Sequence, residues 1–136
     1  MNMTKPKVFI SYSHSDREWV QQLAEAVVGL GLNVWFDEFN IKAGQSVNKA
    51  LEKGLRESEV VAMVINSENL RRPNLFFEMG AALGMTKTII PIVPKDIDPR
   101  KLPLLLQNIK FLIRKAPEET AKELVTAVGA LLGEPA

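Results

Sequence analysis

The sequence has no cysteine, which excludes a disulfide framework, a thiolate metal site and a thiol nucleophile together. That absence fits a reducing compartment. The one histidine, His14, has no cysteine near it to complete a ligand set, so no metal centre is expected. Charge of neither sign dominates: seventeen Lys plus Arg stand against sixteen Asp plus Glu. Such a balance supplies no strong field to draw nucleic acid or an anionic lipid surface, and direct contact with neither is expected. No apolar run approaches the roughly 20 residues that cross a bilayer, and residues 1–7 carry no apolar core of a secretory signal. The expectation is a cytoplasmic domain. GxGxxG, GxxxxGK(S/T) and GxSxG are all missing, so there is no Rossmann fingerprint, no P-loop and no nucleophile elbow. A triad assembled from Ser11 or Ser13, His14 and Asp37 therefore has little support.

What is present is a chain of 136 residues, 46% of them hydrophobic, which suits one domain with one core over about 7–133. Val8, Phe9 and Ile10 predict a strand that feeds the hydroxyl-rich loop Ser11, Tyr12, Ser13, His14 and Ser15. Ser15 and Glu18 have capping-box spacing, and Val20, Leu23, Val27 and Leu30 then recur at helical intervals up to Gly31. A helix over about 16–30 follows. Leu32 to Phe36 predicts a second strand, and Asp37 to Gln45 a long polar loop broken by Gly44. Val47, Ala50, Leu51, Gly54 and Leu55 lie on one face of a second helix, with Ser46 as its N-cap.

Val60 to Ile65 is apolar without interruption, the mark of a strand covered on both faces. A helix starting at Pro73 runs towards Gly84. Thr88 to Val93 predicts another strand, and Pro91 within it suggests a sheet edge or an early end. Phe111 to Ile113 predicts the last strand. A final helix begins near Pro117 and buries Ala121, Leu124, Val125, Val128, Leu131 and Leu132. Five strands alternating with helices imply an α/β fold, a flavodoxin-like doubly wound five-stranded parallel sheet. Ligands of such sheets bind beyond the carboxyl ends of the strands, which points to the loops after Ile10, Phe36 and Ile65.

Glu78 is the one charged residue between Pro73 and Thr86. Burying an unpaired carboxylate costs on the order of several kcal/mol, so Glu78 needs a partner, a raised pKa or a wet pocket. An ion pair with Arg71, Arg72 or Lys87 and a catalytic role are both open at this point. Trp35 and Phe36 fit core packing and a base-stacking surface equally, while Asp37 and Glu38 fit a solvated loop start or a pair that orients a sugar hydroxyl.

The run Phe9-Ile10-Ser11-Tyr12-Ser13, the stretch Trp35-Phe36-Asp37 with Gly44 beyond it, and the helix bearing Glu78 together resemble a TIR (Toll/interleukin-1 receptor) domain. The likeness covers nearly the whole chain. It implies that Asp37, Glu38, Asn40, Lys42 and Gly44 belong to a loop used in self-association through TIR–TIR contacts. It also implies cleavage of the nicotinamide–ribose bond of NAD, with Glu78 as catalytic carboxylate and NAD as substrate rather than cofactor. The product is then ADP-ribose or a cyclic isomer. Ser11, Tyr12, Ser13, Asp37, Ser46 and Asn74 are the expected substrate-binding residues. Asn74 stands where several enzymatic members carry tryptophan, and Asn74 to Gly80 looks more like the prokaryotic TIR-like branch. A role in antiphage defence or signalling, with a separate or fused sensor, is part of that implication. A non-enzymatic scaffold module and a nucleoside deoxyribosyltransferase-like enzyme are the alternatives.

Overall fold

The computed structural model describes residues 8–36, 53–66, 87–102, 107 and 109–132. Their strands are β1 (Val8–Ser11), β2 (Val34–Trp35), β3 (Val60–Val64), β4 (Thr88–Val93) and β5 (Leu112–Ile113). The helices are α1 (Arg17–Gly29), the helical residues 53–57, here α2, and α3 (Pro117–Leu132). All strand pairs are parallel, in the order β2-β1-β3-β4-β5. Successive side chains on a strand point to opposite faces, so the sheet separates two cores. Val8, Ile10, Val60, Ala62, Val64, Ile90 and Ile92 meet Val20, Leu23 and Val27 of α1 and Ala121, Leu124 and Val128 of α3. Phe9, Trp35, Val61, Met63, Ile65, Ile89 and Val93 form the second core with Leu55 and Leu102. The uninterrupted apolar run of β3 is thus accounted for, because its residues are buried on both sides.

The turn that ends α1 shows how local chemistry sets the path back into the sheet. Gly31 N donates to Val28 O at 3.0 Å, and Leu32 N donates to Val27 O at 3.3 Å. This Schellman pairing places Gly31 at φ 102°, a conformation that costs a residue with a Cβ. Leu32 and Val27 lie in the same core cluster, the apolar contact that accompanies the motif.

Three expectations are corrected, and the two readings left open for Trp35 and Phe36 are resolved in favour of core packing. β4 is an interior strand between β3 and β5, and it continues through the buried Pro91 to Val93. Ile65 N donates to Ile92 O and Arg114 N to Val93 O, so the backbone of 90 and 92 faces β3 while that of 91 and 93 faces β5. Pairing with β5 begins only at Ile92↔Leu112, so the donor that proline lacks falls beside the stretch ahead of that ladder. Ser15 does not cap α1: His14–Asp16 form a 3-10 turn, and the N-cap is Asp16, whose side chain makes no capping bond. Trp35 and Phe36 are core residues, 5% and 0% exposed, which removes the base-stacking surface. Leu131, expected on the buried face of α3, is 52% exposed, and the fully buried α3 residues of the first core run from Ala121 to Val128.

Candidate functional site

In the order β2-β1-β3-β4-β5 the strand that follows β1 lies on one side of the β1–β3 pair and the strand that follows β3 on the other, a switch point of the kind whose crevice, beyond the carboxyl ends, holds ligands in doubly wound sheets. The described residues place a polar cluster there. Asn66 lies two residues past the end of β3, and its Nδ2 donates to Asp16 Oδ2 at 2.6 Å and to Ser13 Oγ at 2.7 Å, with Ser15 Oγ at 3.4 Å. Ser13 Oγ and Ser15 Oγ are 3.1 Å apart. Arg114, just after β5, donates from Nη1 to Asp16 Oδ1 at 2.7 Å. Three loops are therefore tied at one carboxylate. With both Asp16 oxygens taken from across the molecule, the carboxylate is not available to cap its own helix.

Arg114 is held from one further side, by a ring that is itself anchored. Its guanidinium carbon lies 4.3 Å from the centre of the Trp19 ring, a cation–π arrangement, and Trp19 Nε1 donates to the Lys115 carbonyl oxygen at 3.1 Å. The side chains of Asp16 and Arg114 are 10% and 25% exposed, so the pair is largely screened from water. A charged pair at that depth persists because extra hydrogen bonds satisfy the rest of the carboxylate, which is what Asn66 provides.

Of the expected substrate-binding residues, Ser11, Tyr12 and Ser13 are described. Ser11 and Ser13 are buried, and Tyr12 is half-buried against Phe36 with ring centres 5.3 Å apart. Glu78, Asp37, Ser46 and Asn74 lie outside the described residues, as do Glu38, Asn40, Lys42 and Gly44. Arg71 and Arg72, weighed as ion-pair partners of Glu78, lie outside them too, whereas Lys87 Nζ donates to the Arg56 carbonyl oxygen at 3.1 Å. Among the described residues no group of three His, Asp or Glu side chains is placed to hold a metal ion. No helix among them is long and apolar enough to cross a membrane. The sequence reading missed Asp16, Asn66 and Arg114 as members of one cluster. The available signal was position: each is the first polar or charged residue at the carboxyl end of an apolar strand, or at the start of the helix that follows one.

The sheet order and the polar crevice define a doubly wound α/β domain of flavodoxin-like topology. The family model for the TIR domain matches residues 8–125, and the chain belongs to that family. A 2' cyclic ADP-D-ribose synthase of Acinetobacter baumannii, AbTIR, is 33% identical over 96 residues, covering 65% of this chain and 36% of the relative. The NAD(+) hydrolase TcpA of a Theionarchaea archaeon is 32% identical over 96 residues, covering 70% of this chain and 26% of the relative. This chain thus spans well under half of either protein. Among solved structures, the TIR-STING receptor from C. gigas in complex with 2',3'-cGAMP matches with a TM-score of 0.79 at 18% identity, covering 94% of this chain and 40% of the receptor. At that identity the likeness carries the fold.

Proposed function

We propose that this TIR domain cleaves the nicotinamide–ribose bond of NAD, releasing nicotinamide together with ADP-ribose or a cyclic ADP-ribose isomer. The observation that carries this reading is the likeness to AbTIR and TcpA, relatives named for making 2' cyclic ADP-D-ribose and for hydrolysing NAD. In the proposed reaction Glu78 is the catalytic carboxylate. As the bond to nicotinamide breaks, nicotinamide leaves as a neutral molecule and the ribose takes on oxocarbenium-like positive charge. A fixed negative charge beside the sugar stabilises that state with little reorganisation. Water attacking the sugar gives ADP-ribose, and attack by a second oxygen or nitrogen of the same molecule gives a cyclic product. NAD is the substrate, and the chemistry requires no separate cofactor.

Ser11, Tyr12, Ser13, Asp37, Ser46 and Asn74 complete the proposed binding site. The polar cluster at the β1–β3 crevice supports its location, because that crevice is where doubly wound sheets hold ligands. Self-association through the loop containing Asp37, Glu38, Asn40, Lys42 and Gly44 is part of the proposal, so activity rises with protein concentration. A single TIR domain over residues 1–136, cytoplasmic and answering to a separate or fused sensor in defence or signalling, is the setting it implies. The test is free nicotinamide after incubation with NAD at several protein concentrations, for the wild type and Glu78→Gln. Folded, self-associating protein that releases none supports a scaffold module instead, and release of bases from nucleosides without turnover of NAD supports a nucleoside-processing enzyme.

A further inference from the structure

Resting on the NAD-cleaving reading, we infer that Asn66 is a positioning residue of the substrate site: acting through Ser13, it holds the Ser15 hydroxyl as an outward-facing donor to the oxygens of the substrate. The argument starts at Arg114. Its Nη1 donates to Asp16 Oδ1, which fixes the carboxylate with its other oxygen towards Asn66. An amide can present either end, but its carbonyl oxygen at 2.6 Å from Asp16 Oδ2 would set two acceptors against each other. The carboxylate thereby selects Nδ2. That nitrogen carries two hydrogens, and its two short bonds, to Asp16 Oδ2 and Ser13 Oγ, use both.

Ser13 Oγ accepts from Asn66 Nδ2, and of the two directions open to its 3.1 Å bond with Ser15 Oγ we assign the one in which Ser13 donates. In that assignment Ser15 Oγ, which also lies 3.4 Å from Asn66 Nδ2, is an acceptor within the cluster and its own hydrogen is left for a partner outside it. Ser13 is buried and Ser15 exposed, so the chain of bonds runs from the interior to the surface beside the crevice. Its end is a hydroxyl whose direction is set before the substrate arrives, which is the condition for a hydrogen bond made at low entropic cost. The oxygen-rich part of NAD, ribose hydroxyls or diphosphate, is the chemistry such a donor suits.

The experiment is steady-state nicotinamide release by the wild type, Glu78→Gln, Asn66→Ala, Ser15→Ala and the double variant Asn66→Ala/Ser15→Ala. Losing an oriented hydrogen bond to substrate raises KM about five- to ten-fold for each single variant, with kcat within about two-fold of wild type. Both substitutions interrupt one chain, so the double variant shows no further rise. A merely structural role lowers the melting temperature and the active fraction, seen as a lower kcat at unchanged KM, and that result overturns the inference. If thermal melting shows Asn66→Ala to be unfolded, Ser15→Ala at its exposed position carries the test, and an unchanged KM there overturns it as well. Wild-type activity abolished by Glu78→Gln, with KM unmoved in the other variants, sinks this inference and leaves the NAD reading standing. No release by the wild type at any concentration sinks both.

Discussion

Adding one methyl group at Gly54 gives a sharp test of the second core. A Cβ built there lies 2.6 Å from Trp35 Nε1 and closer still to Cδ2 and Cε2, well inside the range that real contacts show. The indole has nowhere to retreat. Trp35 is 5% exposed and stacks on Phe9 with ring centres 4.9 Å apart and planes 10° from parallel. Replacing glycine by alanine inside a helix gains about 0.8–1 kcal/mol from backbone entropy alone. Forcing a methyl group into a packed core costs about 1–3 kcal/mol. The overlap is with rigid ring atoms rather than the end of a flexible chain, so the upper half of that range applies and the net loss is about 1–2 kcal/mol. For a domain of this size that lowers Tm by roughly 3–10 °C. Gly29→Ala is the matched control, because nothing lies within 4 Å of its added Cβ and the same entropy term acts alone. Its expected effect is a gain of about 0.4–1 kcal/mol. Circular dichroism melts and urea titrations of both variants give the two signs, and Gly54→Ala as stable as Gly29→Ala would falsify the packing argument.

Further outcomes follow from the polar tie and the surface pairs. Arg114→Met leaves the Asp16 carboxylate largely buried with only Asn66 to satisfy it, so stability falls by about 2–4 kcal/mol in urea titration. Adding Asp16→Asn to that variant recovers part of the loss, and strict additivity of the two changes would contradict a shared tie. Arg100 holds the Asp98 carboxyl below its ordinary value by hydrogen bonds from its side chain and its backbone N–H. A lowered folded-state pKa gives stability that is present above the unfolded value of 3.8 and is lost as pH falls through the folded one. Asp98→Asn therefore melts slightly below wild type at neutral pH, and the gap closes in the acid range below 3.8. A gap that persists unchanged in acid rules out the carboxylate as its source.

How far the sequence led depends on the length scale of each signal. β3 was legible because Val60 to Val64 is buried on both faces, and burial on both faces leaves an unbroken apolar run. α1 was legible within a residue or so because Val20, Leu23 and Val27 repeat at helical spacing and Gly31 closes the helix in a left-handed conformation. Pro91 misled because the rule against proline in interior strands concerns a missing donor, and which neighbour that donor would face depends on the register with β5. Ser15 misled for a related reason: capping-box spacing is local, whereas Asp16 reaches the N-cap through bonds to residues 50 and 98 positions away in the chain. The cluster of Asp16, Asn66 and Arg114 has no sequence motif because its members meet only once the sheet is assembled, with β4 standing between β3 and β5. The parallel α/β sheet was legible from the alternation of strands and helices, and the resemblance to TIR domains agreed with the family assignment.

Everything proposed about activity depends on a carboxylate at position 78 stabilising positive charge on a ribose. The most direct measurement is nicotinamide released from NAD by concentrated protein, wild type beside Glu78→Gln, with melting curves to show that both are folded. The account predicts release by the wild type and a loss of about 100-fold or more in the variant. Equal rates in the two proteins, or no release from folded wild type at any concentration, contradict it.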